Sequence, residues 1–287
     1  MITVALAVLS ALGFGAMSVA LRVGLARLPD VPLATLGTIG AALVVVLVAA
    51  AVEAPGRALH LGAVWPFVLV GVLSPGFAQF LVTLGIHEAG APRTSVVLGL
   101  APLVSVAIAV VLLGEPLKAP LAVGALLVVA GGVELARERD RPQHVRLIGL
   151  AYAFVAVVLF STRDNLLRWL STGASPPPPA VAATASLLGG GLVLAAILAP
   201  RVARRPPLRD VMPFIGAGLL FGLSYVCLFE AYYRGRVTIV SPLVATESLW
   251  AVGLSALVLR HTELVGRRLA FGALLIVAGG VLIGATR

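Results

Sequence analysis

Charge is what this chain has least of: Asp, Glu, Lys and Arg make up 11% of its 287 residues, where a soluble domain carries about 25%. So few charges cannot keep a folded surface in water, which excludes an ordinary soluble protein. Cysteine is nearly absent as well, and the single Cys227 rules out a disulfide scaffold and a cysteine-rich metal centre. Phosphate-loop, HExxH and GxSxG signatures are missing, so common soluble enzyme chemistry has no support. Neither a cofactor nor a metal is expected.

What is present is hydrocarbon. Hydrophobic residues form 60% of the chain, and the mean hydropathy is +1.08. A net charge of +9 would suit nucleic acid, but the basic residues stand in short loops between apolar runs. That is the pattern of membrane flanks, so the partner is a lipid bilayer and no nucleic acid is expected.

A helix needs about 20 apolar residues to cross the hydrocarbon core. The first such run, 2–21, has no charge and no basic segment before it, so it reads as a retained span rather than a signal peptide. Pro29-Asp30-Val31-Pro32 ends it, because proline removes a helical donor and restricts the residue before it. Further runs follow at about 33–52, 65–86 (interrupted by Ser74-Pro75-Gly76), 94–113 (with Pro102 inside) and 121–136. After the charged linker 137–146 come five more, at about 147–170, 180–199, 212–232, 238–259 and 269–285. The runs are continuous rather than alternating, which excludes a β-barrel. The expected fold is an all-α polytopic membrane protein of ten transmembrane helices.

One stretch occurs twice. Residues 124–133 read GALLVVAGGV and residues 272–281 read GALLIVAGGV, with Glu115 and Glu263 at the same spacing upstream. An offset of 146 instead lays 14–22 on 160–168, Gly76 on Gly222, Gln79 on Tyr225 and Ser95 on Ser241. The chain is therefore two copies of one unit, placed at 1–143 and 144–287. Five spans per copy is an odd number, so the second copy enters the membrane from the opposite side. Two inverted five-helix repeats are a recurring architecture of secondary transporters, with the substrate site near the midplane.

Residues 89–115 followed by GALLVVAGGV combine a small-residue turn, a span with a mid-helix proline, a closing Leu-Gly-Glu and a glycine-bearing last span. This resembles the EamA-type unit of the drug/metabolite transporter superfamily. The second copy, 235–281, is similar, but Leu-Gly-Glu becomes Arg-His-Thr-Glu and the proline moves to Pro242. The resemblance implies that the first, third and fourth spans of each half line a central cavity, with the fifth and tenth peripheral.

A charge at membrane depth is a functional candidate by default. Glu247 stands about eleven residues into the ninth span, roughly 16 Å deep at ~1.5 Å per residue, with Thr246, Ser248 and Trp250 around it. It reads as a substrate- or proton-binding residue, or else as a protonated Glu bonded to a backbone carbonyl in a helix contact. Gln79 and Tyr225 suit a cavity wall, though interhelical hydrogen bonding explains them nearly as well.

Arg163 and Asp164 lie late in the sixth span, and Glu230 and Arg234 end the eighth on the same side. Neighbours on a helix point about 100° apart, so Arg163 with Glu230 and Asp164 with Arg234 are the expected pairs of a gate. Snorkelling to the interface is the alternative. His87 with Glu88 reads as interfacial, and Glu115 and Glu263 as helix-start residues favoured by the dipole.

The expected function is secondary transport of a small metabolite by alternating access across the plasma (inner) membrane. Candidate cargoes are an amino acid, an amine or a drug-like compound. Export is the expected direction, proton coupling a further option, and the unit a monomer or homodimer. The alternative is an intramembrane lipid-processing enzyme such as a polyprenyl-phosphate phosphatase. Its nearest signature, Arg93-Thr94-Ser95, has no neighbouring acidic pair.

Six basic loop residues fall on the N-terminal side and thirteen on the other, out of 21 in all. The positive-inside rule then puts both termini outside the cytoplasm. The resemblance implies termini inside, whereas the charge count places them outside.

Overall fold

A computed structural model of the chain describes residues 1–55, 61–104, 119–136, 146–202, 206–259 and 266–285. Glu115, Glu263 and most of the linker 137–146 lie outside the described residues. The first half contributes α1 (Ile2–Arg27), α2 (Val31–Glu53), α3 (Leu61–Gly71), a wide π-type turn (Val72–Phe77), α4 (Ala78–Ala89), α5 (Ala91–Leu98) and α6 (Ala119–Ala136). The second contributes α7 (Ile148–Ser171), α8 (Pro179–Leu198), α9 (Leu208–Arg234), α10 (Val237–Val244), α11 (Glu247–Val258) and α12 (Arg267–Ala285). Among the described residues there is no strand, and seven helices are long and apolar enough to cross a membrane.

Long aliphatic runs become helices here because a helix satisfies its own backbone polar groups, which hydrocarbon cannot do. The ends are set by identifiable residues. Asp30 accepts a hydrogen bond from the Leu33 N–H at 2.9 Å, and Pro32 follows in the first turn, so the proline-flanked turn starts α2 as much as it stops α1. Glu53, at the end of α2, accepts from the Ala180 N–H at 2.9 Å. One carboxylate thereby caps the start of α8 from a neighbouring helix, where the dipole favours negative charge.

Three expected spans are not continuous helices, the third, the fourth and the ninth. The third breaks where anticipated, at Ser74 (φ −152°, ψ 119°) before Pro75. The ninth, read from the sequence as unbroken, divides at Ala245-Thr246 into α10 and α11. The fourth bends at Gly99-Leu100 in the same way, and its part beyond residue 104 lies outside the described residues.

Across the two halves, α1 packs on α9, α4 on α7, α2 on α8 and α9, and α6 on α12. The last pair is made by the duplicated stretch itself. A Cβ on Gly131 would stand 2.5 Å from the Gly272 carbonyl oxygen, and one on Gly279 would stand 2.5 Å from that of Gly124. Each copy lays its glycine on the other's backbone, so the repeated stretch forms an interface with its own copy. Gly131→Val should force α6 and α12 apart, an overpacking cost of about 1–3 kcal/mol. Unfolding of the purified protein in micelles would show it as a lowered midpoint, and an unchanged midpoint would mean that this contact carries no stability.

Two arginines hold equivalent places. Arg22 at the end of α1 donates to the His87 carbonyl at 3.3 Å, and Arg168 in α7 donates to those of Tyr232 and Tyr233 at 2.9 and 3.5 Å. Both couple the first span of a half to the last carbonyls of its third. At offset 146 His87 corresponds to Tyr233, so the latch is repeated.

Candidate functional site

The broken helices converge on a cavity of about 570 Å³, counting the open space at its mouth, lined from α1, α4, α5, α7, α9, α10 and α11. These are the first, third and fourth expected spans of each half. Most of the wall is apolar and aromatic, with Phe14, Phe160 and Phe221 prominent. Irregular backbone at membrane depth is tolerated where it lines a cavity and finds other partners, and each break here has them.

At the α10–α11 break Thr246 donates its hydroxyl to the Leu243 carbonyl at 2.6 Å and Ser248 to that of Ala245 at 3.0 Å, each beside a backbone N–H on the same acceptor. In the first half Ser161 of α7 donates to the Ala101 carbonyl at 3.1 Å. The Ser74 carbonyl accepts from Tyr225 at 3.2 Å and from Ser186 at 3.3 Å.

Glu247 therefore sits not within a continuous helix but in the first turn of α11, where the dipole favours an acid. It lines the cavity, and among the described residues none hydrogen-bonds to its carboxylate or forms a salt bridge with it. The residues around it in sequence play other parts. Thr246 and Ser248 bond their own backbone, as above, and Trp250 is 39% exposed, so none of the three lines the cavity. They neighbour Glu247 in sequence, but the helix break turns them away from it.

The cross-helix pairs expected from the sequence are not made. Arg163 bonds its own neighbour Asp164, with Nε and Nη2 at 2.8 and 2.7 Å from Oδ1. Glu230 pairs with Arg234 one turn along α9, at 2.6 Å. A long arginine stem can fold back across the 100° that separates adjacent positions.

Arg163 and Asp164 are 4% and 5% exposed and line the cavity rather than a mouth. Arg163 Nη1 also donates to Ser74 Oγ at 3.3 Å, and the guanidinium lies 5.0 Å from the Phe160 ring centre and 5.7 Å from that of Tyr225. Tyr225 stands behind this pair, with Ser186 Oγ 2.9 Å from its hydroxyl. Gln79 does reach the cavity, and its buried Nε2 has no hydrogen-bond partner among the described residues.

Sequence reasoning missed Ser74, Ser186 and the aromatic wall. The signals were there: the Ser74-Pro75 break exposes a carbonyl that something must cover, and Phe14 matches Phe160 at offset 146. The same offset pairs Met17 with Arg163, Ser18 with Asp164 and Ala101 with Glu247, and all six line the one cavity. Arg163, Asp164 and Glu247 thus all come from the second half, opposite uncharged counterparts from the first.

Away from the cavity, Glu88 at the end of α4 joins Arg146 at 3.0 Å and His87 at 3.2 Å. Arg93, Thr94 and Ser95 are buried in α5 and do not line the cavity.

No curated protein matches the sequence. Among solved structures, one described only as "Crystal structure of protein" aligns over 99% of this chain and 95% of its own at a TM-score of 0.67. The two share 21% identity, a likeness of fold. The model of the EamA-like transporter family matches residues 1–134 and again residues 147–285. Two matches, end to end and each falling on one copy of the duplicated unit, place the chain in the EamA-like transporter family.

Proposed function

We propose that the protein is a secondary transporter that carries a small organic metabolite outward across the plasma membrane by alternating access. The observation that carries this reading is the cavity where broken helices from both halves meet, with Glu247 at its wall and hydrogen-bonded to none of the described residues. Ten spans in two inverted repeats, 1–143 and 144–287, would present that one site to either face in turn. The carboxyl of Glu247 can hold a proton or a cationic group of the cargo, but not both at once. Exchange of cargo for a proton then needs no additional site.

The test is flux through the purified protein in liposomes, across a metabolite panel, with and without an imposed pH gradient. Saturable flux that responds to the gradient supports the reading. A protein that folds, inserts and moves nothing on the panel counts against it.

Orientation has its own measurement. The excess of basic residues on the side opposite the termini predicts that a reporter fused after Arg287 is active only outside the cytoplasm. A fusion active only inside would reverse the assignment.

A further inference from the structure

The geometry points to a cargo that is a carboxyl-free organic amine with a hydrogen-bond acceptor a few atoms from its nitrogen, taken in preference to a free amino acid. This rests on the transport reading only for the cavity in question. The first argument is electrostatic. Among the described residues lining the cavity, Arg163 is the one cation, and each of its three nitrogens is engaged. Nε and Nη2 hold Asp164, and Nη1 holds Ser74. The pair neutralises itself and is buried.

What remains is Glu247, a carboxylate that forms no hydrogen bond or salt bridge among the described residues. A ligand ammonium completes it with a charge-assisted hydrogen bond. The carboxylate of a zwitterion would meet Glu247 and Asp164 with no cation to receive it. To bind Arg163 it would have to displace Asp164, leaving a buried charge unpaired.

The second argument is the polar side chain that lacks a partner. Gln79 is 1% exposed, and its Nε2 finds no acceptor among the described residues. A buried donor left unmade is costly, and a site built around one favours a ligand that supplies the missing group. A carbonyl or ether oxygen on the cargo would do so. The third is the wall: Phe14, Phe160 and Phe221 accept an aryl or aliphatic body. The counterparts Met17 and Ala101 give the first-half side nothing charged to offer. The amine thus points toward the second half and the body toward the first.

Binding of three probes to the purified full-length protein at about pH 6.5, where an α-amino group is cationic, tests the idea. The probes are phenylalaninamide (amine, acceptor, ring), phenethylamine (no acceptor) and phenylalanine (added carboxylate). Phenylalaninamide is expected to bind at least tenfold more tightly than phenylalanine and several-fold more tightly than phenethylamine. Gln79→Leu should erase the second difference and keep the first, and Glu247→Gln should weaken phenylalaninamide at least tenfold. Variants are compared only when monodisperse with a wild-type unfolding midpoint; the comparison of probes on the wild type needs no variant.

Phenylalanine binding as tightly as its amide, or no binding of the amide, overturns the proposal. An unaltered preference for phenylalaninamide over phenethylamine in Gln79→Leu overturns the role of the acceptor. Liposome flux, corrected with protein-free vesicles, separates this from the transport reading. Flux of phenylalanine without preference for the amide sinks the inference and leaves transport standing. The predicted binding order without flux of any probe does the reverse.

Discussion

Glu247→Gln should fold, insert and lose pH-dependent transport. The substitution keeps the shape of the side chain and removes its capacity to ionise. No described residue pairs with the carboxylate, so the change leaves no partner stranded, and the unfolding midpoint should stay near that of the wild type. The cargo loses a charge-assisted hydrogen bond, and such bonds contribute about 1.5–3 kcal/mol. Flux at limiting cargo should therefore fall by about tenfold or more. What flux remains should be flat across pH, because no group at the site exchanges a proton for the cargo. Wild-type rates together with wild-type pH dependence would reduce Glu247 to a packing residue. Aggregation of the variant would be read against Glu247→Asp, which retains the charge and should retain the pH dependence.

Arg163→Met should destabilise the protein strongly, and adding Asp164→Ser should restore most of what was lost. Removing Arg163 leaves Asp164 buried without its counter-ion, and breaking a buried pair in this way costs about 3–5 kcal/mol. The double variant copies Met17-Ser18, which the first half already carries at the equivalent places on the same cavity wall. Ser74 and Tyr225 would remain bonded to each other without the guanidinium. Unfolding midpoints of the wild type, the two single variants and the double variant close the cycle. A double variant no more stable than Arg163→Met alone would show that the two side chains do not act as a pair. The Glu230–Arg234 pair offers the contrast. It is one turn apart on one helix, with its arginine 52% exposed, and exposed pairs of this kind contribute about 0–1 kcal/mol.

Gate and site separate for the same reason. Arg163, Asp164, Glu230 and Arg234 lie close enough in sequence and depth to suggest one network at one mouth. Glu230 and Arg234 satisfy each other along α9, while Arg163 and Asp164 turn inward onto Ser74 and the ring of Tyr225. Which of two pairings forms depends on how α7 is rotated against α4 and α9. That rotation follows from packing, through close contacts such as that between Gly149 and the Ala89 backbone, and no local pattern encodes it.

By itself the sequence determined the membrane class and the duplication, and it singled out Glu247 as an acid within an apolar run. These rest on composition, run length and identity at a fixed offset, which are properties of the chain before it folds. It also marked the break at Ser74-Pro75, because proline acts on its own backbone wherever it stands. The tertiary structure alone decided which polar side chains share the cavity. It placed Gln79 and Glu247 there and kept Thr246, Ser248 and Trp250 away, although the last three are nearer to Glu247 in sequence. It also decided that Asp164, not Glu230, neutralises Arg163. A broken helix re-aims every side chain beyond the break, and a long flexible side chain selects among partners brought in by other helices. Both depend on contacts between residues far apart in the chain, where sequence pattern carries no direction.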